Sequence, residues 1–249
     1  MNVLILAAGY ATRLYPLTLN KAKPLLMVAG KPIIEWLVDN LAGIPDLETI
    51  YVVTNHKFVA DFQVWSQSYQ KRHPEFGFKV VNDGSTSDDD KLGAIGDINF
   101  VVTRENLSHT GLLIAAGDNL FTNSLADFVT NAKNTEVTVA VYDVGDSEAI
   151  KKYGNVVVDA EGTIIQFEEK PQKPRGTLAA IALYYYSPAV LSLLKTYLAA
   201  GNNADQPGRF VQWLYTRKPV TTFEIKGRWL DIGSKETLEN ADRILASPA

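Results

Sequence analysis

The sequence predicts an α/β fold with a mostly parallel sheet, on the strength of two observations. Apolar, β-rich runs alternate with segments whose apolar residues recur at helical spacing. Strands joined by helices of about 10 to 15 residues are typical of parallel βαβ units. In the second half the strand-like runs have fewer helices between them, so we expect the sheet to become mixed there.

The first half alternates strictly between the two kinds of element. Residues 3–7 are a short apolar run that ends before a glycine, which is typical of a buried strand. Pro32 is a favourable first helical residue, and the apolar residues after it repeat at helical spacing. Aromatic residues recur along one stripe of residues 58–72, which predicts a second helix. The remaining predictions are strands at 49–54, 78–81 and 112–116 and a helix at 92–104.

The second half is richer in strands. The predicted strands are residues 137–142, 156–159, 163–167 and 180–186. Gly162 stands between two of them, which indicates a hairpin. The predicted helices are residues 188–199, 209–216 and 235–246.

Composition excludes several classes of protein. There is no cysteine, which rules out disulfides and thiolate metal sites. The net charge of −4 argues against general nucleic-acid binding, which usually needs a basic face. No run approaches the ~20 apolar residues of a membrane span, and residues 3–8 are too short and lack the preceding basic region of a signal peptide. We therefore expect a cytoplasmic protein without a nucleic-acid or membrane partner.

The opening of the chain is free of acids. The first carboxylate is Glu35, and the cations before it are Arg13, Lys21, Lys23 and Lys31. Clustered cations without nearby acids make a local positive field, which suits a polyanionic ligand. Arg13 can bind phosphate through two hydrogen bonds, and Lys23 can act as a point charge.

Small residues lead into this stretch. Leu6, Ala7, Ala8 and Gly9 fall where a parallel strand meets a loop, the edge at which such sheets bind ligands. Small side chains let a ligand approach the backbone, whose N–H groups can cradle phosphate oxygens. The stretch contains neither G-x-x-x-x-G-K-[ST] nor G-x-G-x-x-G. From the residues alone, a phosphate site and an ordinary loop with surface cations both stay open.

An acidic stretch, NDGSTSDDDK at residues 82–91, is interpreted as a solvated loop. We expect Asp90 to be the N-cap of the helix that follows. Asn82, at the start of the stretch, both donates and accepts hydrogen bonds, so it can pair with uracil, thymine or cytosine.

From Leu6 to Pro32 the chain reads LAAGYATRLYPLTLNKAKPLLMVAGKP. This resembles the signature of the sugar-1-phosphate nucleotidylyltransferases, L-A-A-G-x-G-T-R-L-x-P-L-T-x-x-x-P-K-P-L followed by G-K-P. Ala11 replaces the second glycine, and Ala22 replaces the proline before Lys23. Further similar segments follow in the family's order: LGAIGD at 92–97, AAGDNLF at 115–121, YGNVVVDAEGTIIQFEEKP at 153–171 and WLDIGS at 229–234.

The resemblance implies a Rossmann-like, mostly parallel or mixed sheet flanked by helices, in a single domain over residues 1–249. Residues 1–135 would form the nucleotide-binding part and residues 136–249 the sugar-phosphate-binding part. The candidate nucleotide-binding residues are Leu6, Ala7, Ala8, Gly9, Asn82, Gly93 and Asp118. The candidate residues for the sugar phosphate are Gly154, Glu169, Lys170 and Tyr184. The implied Mg²⁺ ligands are Asp118 and Asp231, and the implied catalytic residues are Arg13, Lys23, Asp118 and Lys170.

The implied partners are a nucleoside triphosphate and a sugar 1-phosphate. A phosphate oxygen of the sugar would attack the α-phosphorus and pyrophosphate would leave, with charge neutralisation as the main task of the protein. Because the attacking phosphate is already ionised, no general base is needed, and His56, His73 and His109 are interpreted as surface residues. Overall similarity favours UTP or dTTP, with glucose 1-phosphate as the default acceptor. Relatives often form dimers or tetramers, which leaves a homo-oligomer open.

Three other functions are weighed against this one. A cytidylyltransferase acting on a sugar phosphate or a phosphocholine-like acceptor stays open, because Ile181 and Ala182 stand where a threonine and a glycine are usual. A nucleotide-binding regulatory module without catalysis would explain Ala11, Ala22 and Ala182. The broken glycine fingerprint disfavours a dinucleotide-dependent oxidoreductase. As the sequence ends at Ala249, we expect no left-handed β-helix domain and no acetyl transfer.

Overall fold

The computed structural model describes residues 1–246. Residues 247–249, the end of the predicted 136–249 part, lie outside the described residues. The chain forms two compact units. The first comprises Met1–Leu92, Ala115–Ala126 and the chain from Gly227 onward, and the second comprises Gly93–Ile114 and Asp127–Lys226. The functional division at residue 135 stays a prediction.

The strands in chain order are β1 (Asn2–Leu6), β2 (Met27–Val28), β3 (Lys31–Pro32), β4 (Ile50–Thr54), β5 (Phe78–Asn82), β6 (Leu112–Ala116), β7 (Asn119–Phe121), β8 (Val137–Asp143), β9 (Gly154–Val158), β10 (Ile164–Glu169), β11 (Leu178–Tyr186), β12 (Thr221–Glu224) and β13 (Trp229–Asp231). The α-helices are α1 (Ile33–Asp39), α2 (Val59–Arg72), α3 (Ala94–Arg104), α4 (Ala126–Ala132), α5 (Pro188–Leu191), α6 (Leu193–Ala199), α7 (Gly208–Leu214) and α8 (Lys235–Ala246). Short 3-10 turns lie at Thr12–Leu14, Lys23–Leu25 and Ala149–Lys152.

The first unit contains the parallel part of the fold. β1 pairs in parallel with β4, and β4 pairs in parallel with β5. The predicted aromatic stripe of α2 is buried, and the ring of Trp65 packs edge-on against Phe78 of β5 at 5.3 Å between centroids. β4 is buried along its whole length, as expected of a strand covered on both faces. The parallel βαβ arrangement predicted for the first half is confirmed.

The second unit has mainly antiparallel strands, in the order β10-β9-β11-β8-β12. β12 is the exception, because it runs parallel to β8. The hairpin predicted at Gly162 is confirmed, since β9 and β10 pair antiparallel and Gly162 takes a φ of +80° in the turn. Tyr186, Tyr197 and Phe210 are fully buried, and their rings pack edge-to-face within the core of this unit.

The prediction that Asp90 caps the next helix is wrong. The Asp90 carboxylate instead accepts the backbone N–H groups of Thr86 (3.0 Å) and Ser87 (2.7 Å). Serine, threonine and aspartate readily form such local turns, and here the carboxylate binds residues that precede it in the chain. The helix begins at Ala94, after Gly93 at a φ of +77°.

Other elements differ in detail. The predicted helix over 188–199 is interrupted at Ser192, between α5 and α6. The sequence patterns did not predict the short elements β2, β3, β7, α4, β12 and β13. Among the described residues, no helix is both long and apolar enough to cross a membrane.

Candidate active site

The loop after β1 is anchored to β4. The Ala7 N–H donates to the Val53 carbonyl at 2.9 Å, and the Asn55 side-chain amide donates to the Ala8 carbonyl at 2.9 Å. Ala7 and Ala8 are buried, whereas Gly9 is exposed. The small residues predicted at this strand end thus form a fixed backbone edge that opens to solvent at Gly9.

Ala11 holds the next turn in a left-handed conformation, with φ 48° and ψ 44°. Its carbonyl accepts the Thr18 hydroxyl at 2.8 Å and the Leu14 N–H at 3.0 Å. An L-residue in this region is strained by roughly 1–2 kcal/mol, and glycine is not. The replacement of glycine therefore leaves the loop in a glycine-like conformation. The replacement of proline by Ala22 likewise leaves a proline-like backbone conformation, because its φ of −61° and ψ of 139° are values that proline adopts.

Lys23 is brought onto Asp118. Its ammonium forms an ion pair with the Asp118 carboxylate and donates to the Ile232 carbonyl at 2.8 Å. The two side chains are only 15% and 25% exposed, so bulk water screens the pair incompletely. Arg13 lies on the 3-10 turn at Thr12–Leu14 and is exposed.

Asp231 reaches the same region through strand pairing. β13 pairs with β7 so that Asp231 lies opposite Asn119, and the Ile232 N–H donates to the Asp118 carbonyl at 3.3 Å. Gly117 brings this segment close to β1, because its N–H donates to the Leu6 carbonyl at 2.9 Å. A Cβ on Gly117 would lie 3.0 Å from that oxygen, so a larger residue would push the segment away. The first unit therefore pairs Lys23 with Asp118 and brings the backbone of Asp231 beside Asn119, the neighbour of Asp118.

These groups fit a hard cation. Asp118 already has a cationic partner in Lys23, and carboxylate oxygens are the ligands that Mg²⁺ prefers. No group of three or more His, Cys, Asp or Glu residues suited to a metal occurs within residues 1–246. Mg²⁺ commonly uses one or two protein carboxylates together with substrate phosphates, and a pair of aspartates matches that pattern.

Asn82 lies at the end of β5 and is already engaged. Its side-chain oxygen accepts the Gly84 N–H at 2.9 Å, and its amide nitrogen lies 3.2 Å from Nδ1 of His56. The sequence reading treated His56 as a surface residue. His56 is indeed exposed, but its contact with Asn82 had no signal in the sequence.

The second unit places Glu169 between two glycines. A Cβ on Gly208 would lie 1.9 Å from a Glu169 carboxylate oxygen, and one on Gly154 would lie 3.1 Å from it. Burial raises the pKa of the Glu169 carboxyl, while the charges of Lys170 and Arg209 act in the opposite direction. The desolvation of this carboxylate is thus only partly offset by its own unit.

Lys170 and Tyr184 complete the predicted set in this unit. Lys170 has a φ of 52°, in the left-handed region, while its N–H donates to the Tyr153 carbonyl at 2.9 Å and its side chain is exposed. A strained backbone at a non-glycine residue is frequent in functional sites. Tyr184 is 2% exposed, and burial raises its pKa. It stacks on Tyr186 with 5.8 Å between ring centroids.

Helix α7 contributes residues that the sequence reading missed. Gly208 gives space to Glu169, Arg209 acts on its charge, and Gln212 accepts the Glu169 N–H at 3.1 Å. The available signal was the spacing of Arg209 and Gln212, three residues apart on one helix face. Gly93 has a packing reason, because a Cβ there would lie 2.6 Å from the Ala204 carbonyl oxygen. Its contact with a nucleotide stays a prediction.

Parallel strands with an ion pair near the carboxyl end of β1 are typical of α/β proteins that bind ligands at the edge of the sheet. The chain matches the family model described as nucleotidyl transferase over residues 2–247. It therefore belongs to the nucleotidyl transferase family, and the family resemblance of the sequence is confirmed.

Relatives support this assignment. The chain is 26% identical over 245 residues to the bifunctional protein GlmU of Methanocaldococcus jannaschii, covering 98% of this chain and 54% of that protein. It is 25% identical over 246 residues to the GlmU protein of Methanococcus aeolicus, covering 97% and 54%. The chain thus spans about half the length of the curated relatives it matches.

Solved structures share the fold. A putative glucose-1-phosphate thymidylyltransferase from Bacillus anthracis, in complex with sucrose, superposes with a TM-score of 0.83 at 24% identity, covering 100% of this chain and 96% of that one. A UDP-glucose pyrophosphorylase complexed with UDP-glucose gives 0.81 at 22% identity, covering 98% and 97%. The α/β fold predicted from the sequence is confirmed.

Proposed function

We propose that this chain is a Mg²⁺-dependent nucleotidylyltransferase that joins a nucleoside triphosphate to a sugar 1-phosphate and releases pyrophosphate. The observation that carries the proposal is the Lys23–Asp118 ion pair, at a segment to which the pairing of β13 with β7 also brings Asp231. Two anionic reactants must approach each other, which requires positive charge and fixed positioning at the point where they meet. The bound metal would neutralise phosphate charge, with Asp118 and Asp231 as its protein ligands.

The residues of the first unit take separate roles. Arg13, exposed on its turn, binds the β- and γ-phosphates and stabilises the departing pyrophosphate. Lys23 exchanges its Asp118 partner for a phosphate oxygen when the triphosphate arrives. The backbone from Leu6 to Gly9 cradles the nucleotide, and Asn82 lies on the side of the base.

The second unit supports a hydroxyl-bearing acceptor. A partly desolvated carboxylate such as Glu169 is stabilised by hydroxyl donors, which a sugar supplies and a quaternary ammonium group does not. Because burial outweighs the charges of Lys170 and Arg209, a cationic acceptor of the phosphocholine kind would also stabilise the Glu169 carboxylate, and phosphocholine is therefore the rival acceptor. Lys170 is assigned to the acceptor phosphate, and Tyr184 and Gly154 to the wall around the sugar.

UTP or dTTP with glucose 1-phosphate is the favoured substrate pair. The names of the two structural neighbours, a glucose-1-phosphate thymidylyltransferase and a UDP-glucose pyrophosphorylase, agree with it. A cytidylyltransferase is the second candidate, because Asn82 can also pair with cytosine. The intact Lys23–Asp118 pair argues against a regulatory module without catalysis.

Pyrophosphate release tests the proposal. The assay crosses ATP, GTP, CTP, UTP and dTTP with a panel of sugar 1-phosphates and phosphocholine, with Mg²⁺ and with EDTA. We expect one strong combination of nucleotide and sugar 1-phosphate that EDTA abolishes. Nucleotide binding without pyrophosphate release in every well would contradict the proposed reaction and favour the regulatory module.

A further inference from the structure

His56 and Asn82 lie at the ends of neighbouring strands in the first unit. β4 and β5 run parallel with Thr54 opposite Asn82, and His56 follows two residues after Thr54. The His56 N–H donates to the Ser85 carbonyl at 2.9 Å, which fixes its backbone against the loop that follows Asn82. The imidazole itself is exposed.

Three hydrogen-bonding groups in series determine which imidazole nitrogen carries the proton. The Gly84 N–H can only donate, so the side-chain atom of Asn82 that it meets at 2.9 Å must be the oxygen. The amide nitrogen of Asn82 then faces Nδ1 of His56 at 3.2 Å and donates to it. Nδ1 must therefore be unprotonated in the neutral ring, and the proton is carried on Nε2.

The same strand end is linked to the loop after β1, which is assigned to the nucleotide under the proposed function. Asn55, immediately before His56, donates its side-chain amide to the Ala8 carbonyl. A nucleotide whose phosphates lie along Ala8 and Gly9 thus has the ends of β4 and β5 beside it. No hydrogen bond or ion pair of Nε2 occurs within the described part of the chain, so this N–H is directed to solvent or to a ligand.

We propose that His56 determines base specificity, with its Nε2–H donating to a carbonyl oxygen on the edge of the pyrimidine. This inference rests on the proposed nucleotidylyl transfer and deepens it. UTP and dTTP carry a carbonyl at the 4-position of the base, whereas CTP carries an amino group there. An amino group facing Nε2–H would place two donors against each other, so the site rejects CTP.

The test compares kcat/KM for UTP and CTP in the wild type and in His56 variants. We expect the wild type to prefer UTP by about 100-fold, since CTP would lose the hydrogen bond and place two donors against each other. In His56→Ala the preference falls to less than about 10-fold, mainly through the KM for UTP. In His56→Glu the new carboxylate can only accept hydrogen bonds, so it favours the amino group of CTP. The ratio of kcat/KM for UTP to that for CTP therefore falls below the ratio of His56→Ala. His109→Ala, which removes an exposed histidine of the other unit, leaves the ratio unchanged.

Two results, in the wild type and in His56→Ala, would overturn the inference. One is a wild type that prefers CTP, and the other is a His56→Ala variant whose ratio stays within threefold of the wild type. If His56 only supported Asn82, the His56→Glu variant would not shift the ratio towards CTP. A preference for UTP in His56→Glu close to that of the wild type would therefore also contradict the inference.

Calorimetric titration of UTP and CTP without an acceptor separates this inference from the proposed reaction. A preference for UTP in binding that depends on His56, without pyrophosphate release for any acceptor, would support base reading and refute the transfer. Pyrophosphate release with CTP as the preferred nucleotide would support the transfer and refute base reading.

Discussion

The two units treat their candidate charges in opposite ways. In the first unit, Lys23 and Asp118 neutralise each other before any ligand is present. In the second unit, Glu169 is desolvated, and the charges of Lys170 and Arg209 offset its burial only in part. One unit holds its charges paired, and the other holds a carboxylate that a ligand would stabilise. The difference predicts that the charges of the candidate site cost the first unit little stability when no ligand is bound. In the second unit, the desolvated Glu169 carboxylate lowers the stability of the fold.

Removing the paired carboxylate gives the largest expected effect. Asp118→Asn takes away a proposed metal ligand and leaves Lys23 opposite a neutral amide, so we expect kcat/KM to fall by about 1,000-fold or more. Pyrophosphate release measures the loss, and circular dichroism checks the fold. Asp89→Asn, at an exposed aspartate of the same unit, should retain wild-type activity. Activity of Asp118→Asn within tenfold of the wild type would remove Asp118 from the site.

Filling the space beside Glu169 should give a smaller loss, of about 100-fold in kcat/KM for the sugar phosphate. In Gly208→Ala the new Cβ would lie 1.9 Å from the Glu169 carboxylate, which must swing away. Because the clash is with the mobile end of a side chain, the melting temperature should change little. Gly176→Ala is the matched control, since a Cβ there meets nothing within 4 Å. Steady-state kinetics with varied sugar 1-phosphate measure the effect. Equal KM values for the sugar 1-phosphate in both variants would contradict the role of Glu169.

The desolvated carboxylate also predicts a pH-dependent stability. The pKa of Glu169 is raised in the fold above its ordinary value of 4.5, so its ionisation destabilises the folded state as pH rises through the raised pKa. Glu169→Gln should therefore melt about 1–3 °C above the wild type at pH 7–8, with the difference closing towards pH 4. Melting curves across this range test it, with the exposed Glu168→Gln as control. A wild type more stable than Glu169→Gln at pH 8 would show that the carboxylate has stabilising partners.

The smallest effect concerns the strained turn of the first unit. Ala11→Gly removes the left-handed strain but adds freedom to the unfolded chain, so we expect a net gain of about 0.5 kcal/mol or less. Ala22→Gly relieves no strain, because φ is −61° there, and should destabilise by about 0.5–1 kcal/mol. Urea unfolding of both variants gives the comparison. If the two changes have the same sign, the strain at Ala11 is not significant.

Long, periodic segments were predictable from the sequence, and short ones were not. The aromatic stripe of α2 and the apolar run of β1 have enough residues for a pattern to emerge. β7 and β13 have three residues each, too few to show alternation, yet their pairing carries Asp231 to the region of Asp118. A candidate site residue was thus singled out by its motif, while the strand that positions it was missed.

Contacts between distant positions were beyond the sequence for a different reason. Lys23 and Asp118 are 95 positions apart, and His56 and Asn82 are 26 apart. Such pairs depend on how elements pack, and no local propensity or spacing encodes them. The prediction for Asp90 was wrong because its carboxylate binds the neighbouring hydroxyl residues in a turn instead of capping the helix.

The pairing of Lys23 with Asp118 also has a kinetic consequence. With that cation neutralised, the attraction on a triphosphate approaching the proposed site would come from the exposed Arg13 and Lys21. Salt screens exposed charges over about 8–10 Å, so the rate of encounter should fall as ionic strength rises. The proposed exchange of Lys23 from carboxylate to phosphate would take place among partly buried groups, where dissolved ions have less influence. In the proposed reaction, one set of charges would therefore govern how quickly the substrate arrives, and another how long it stays.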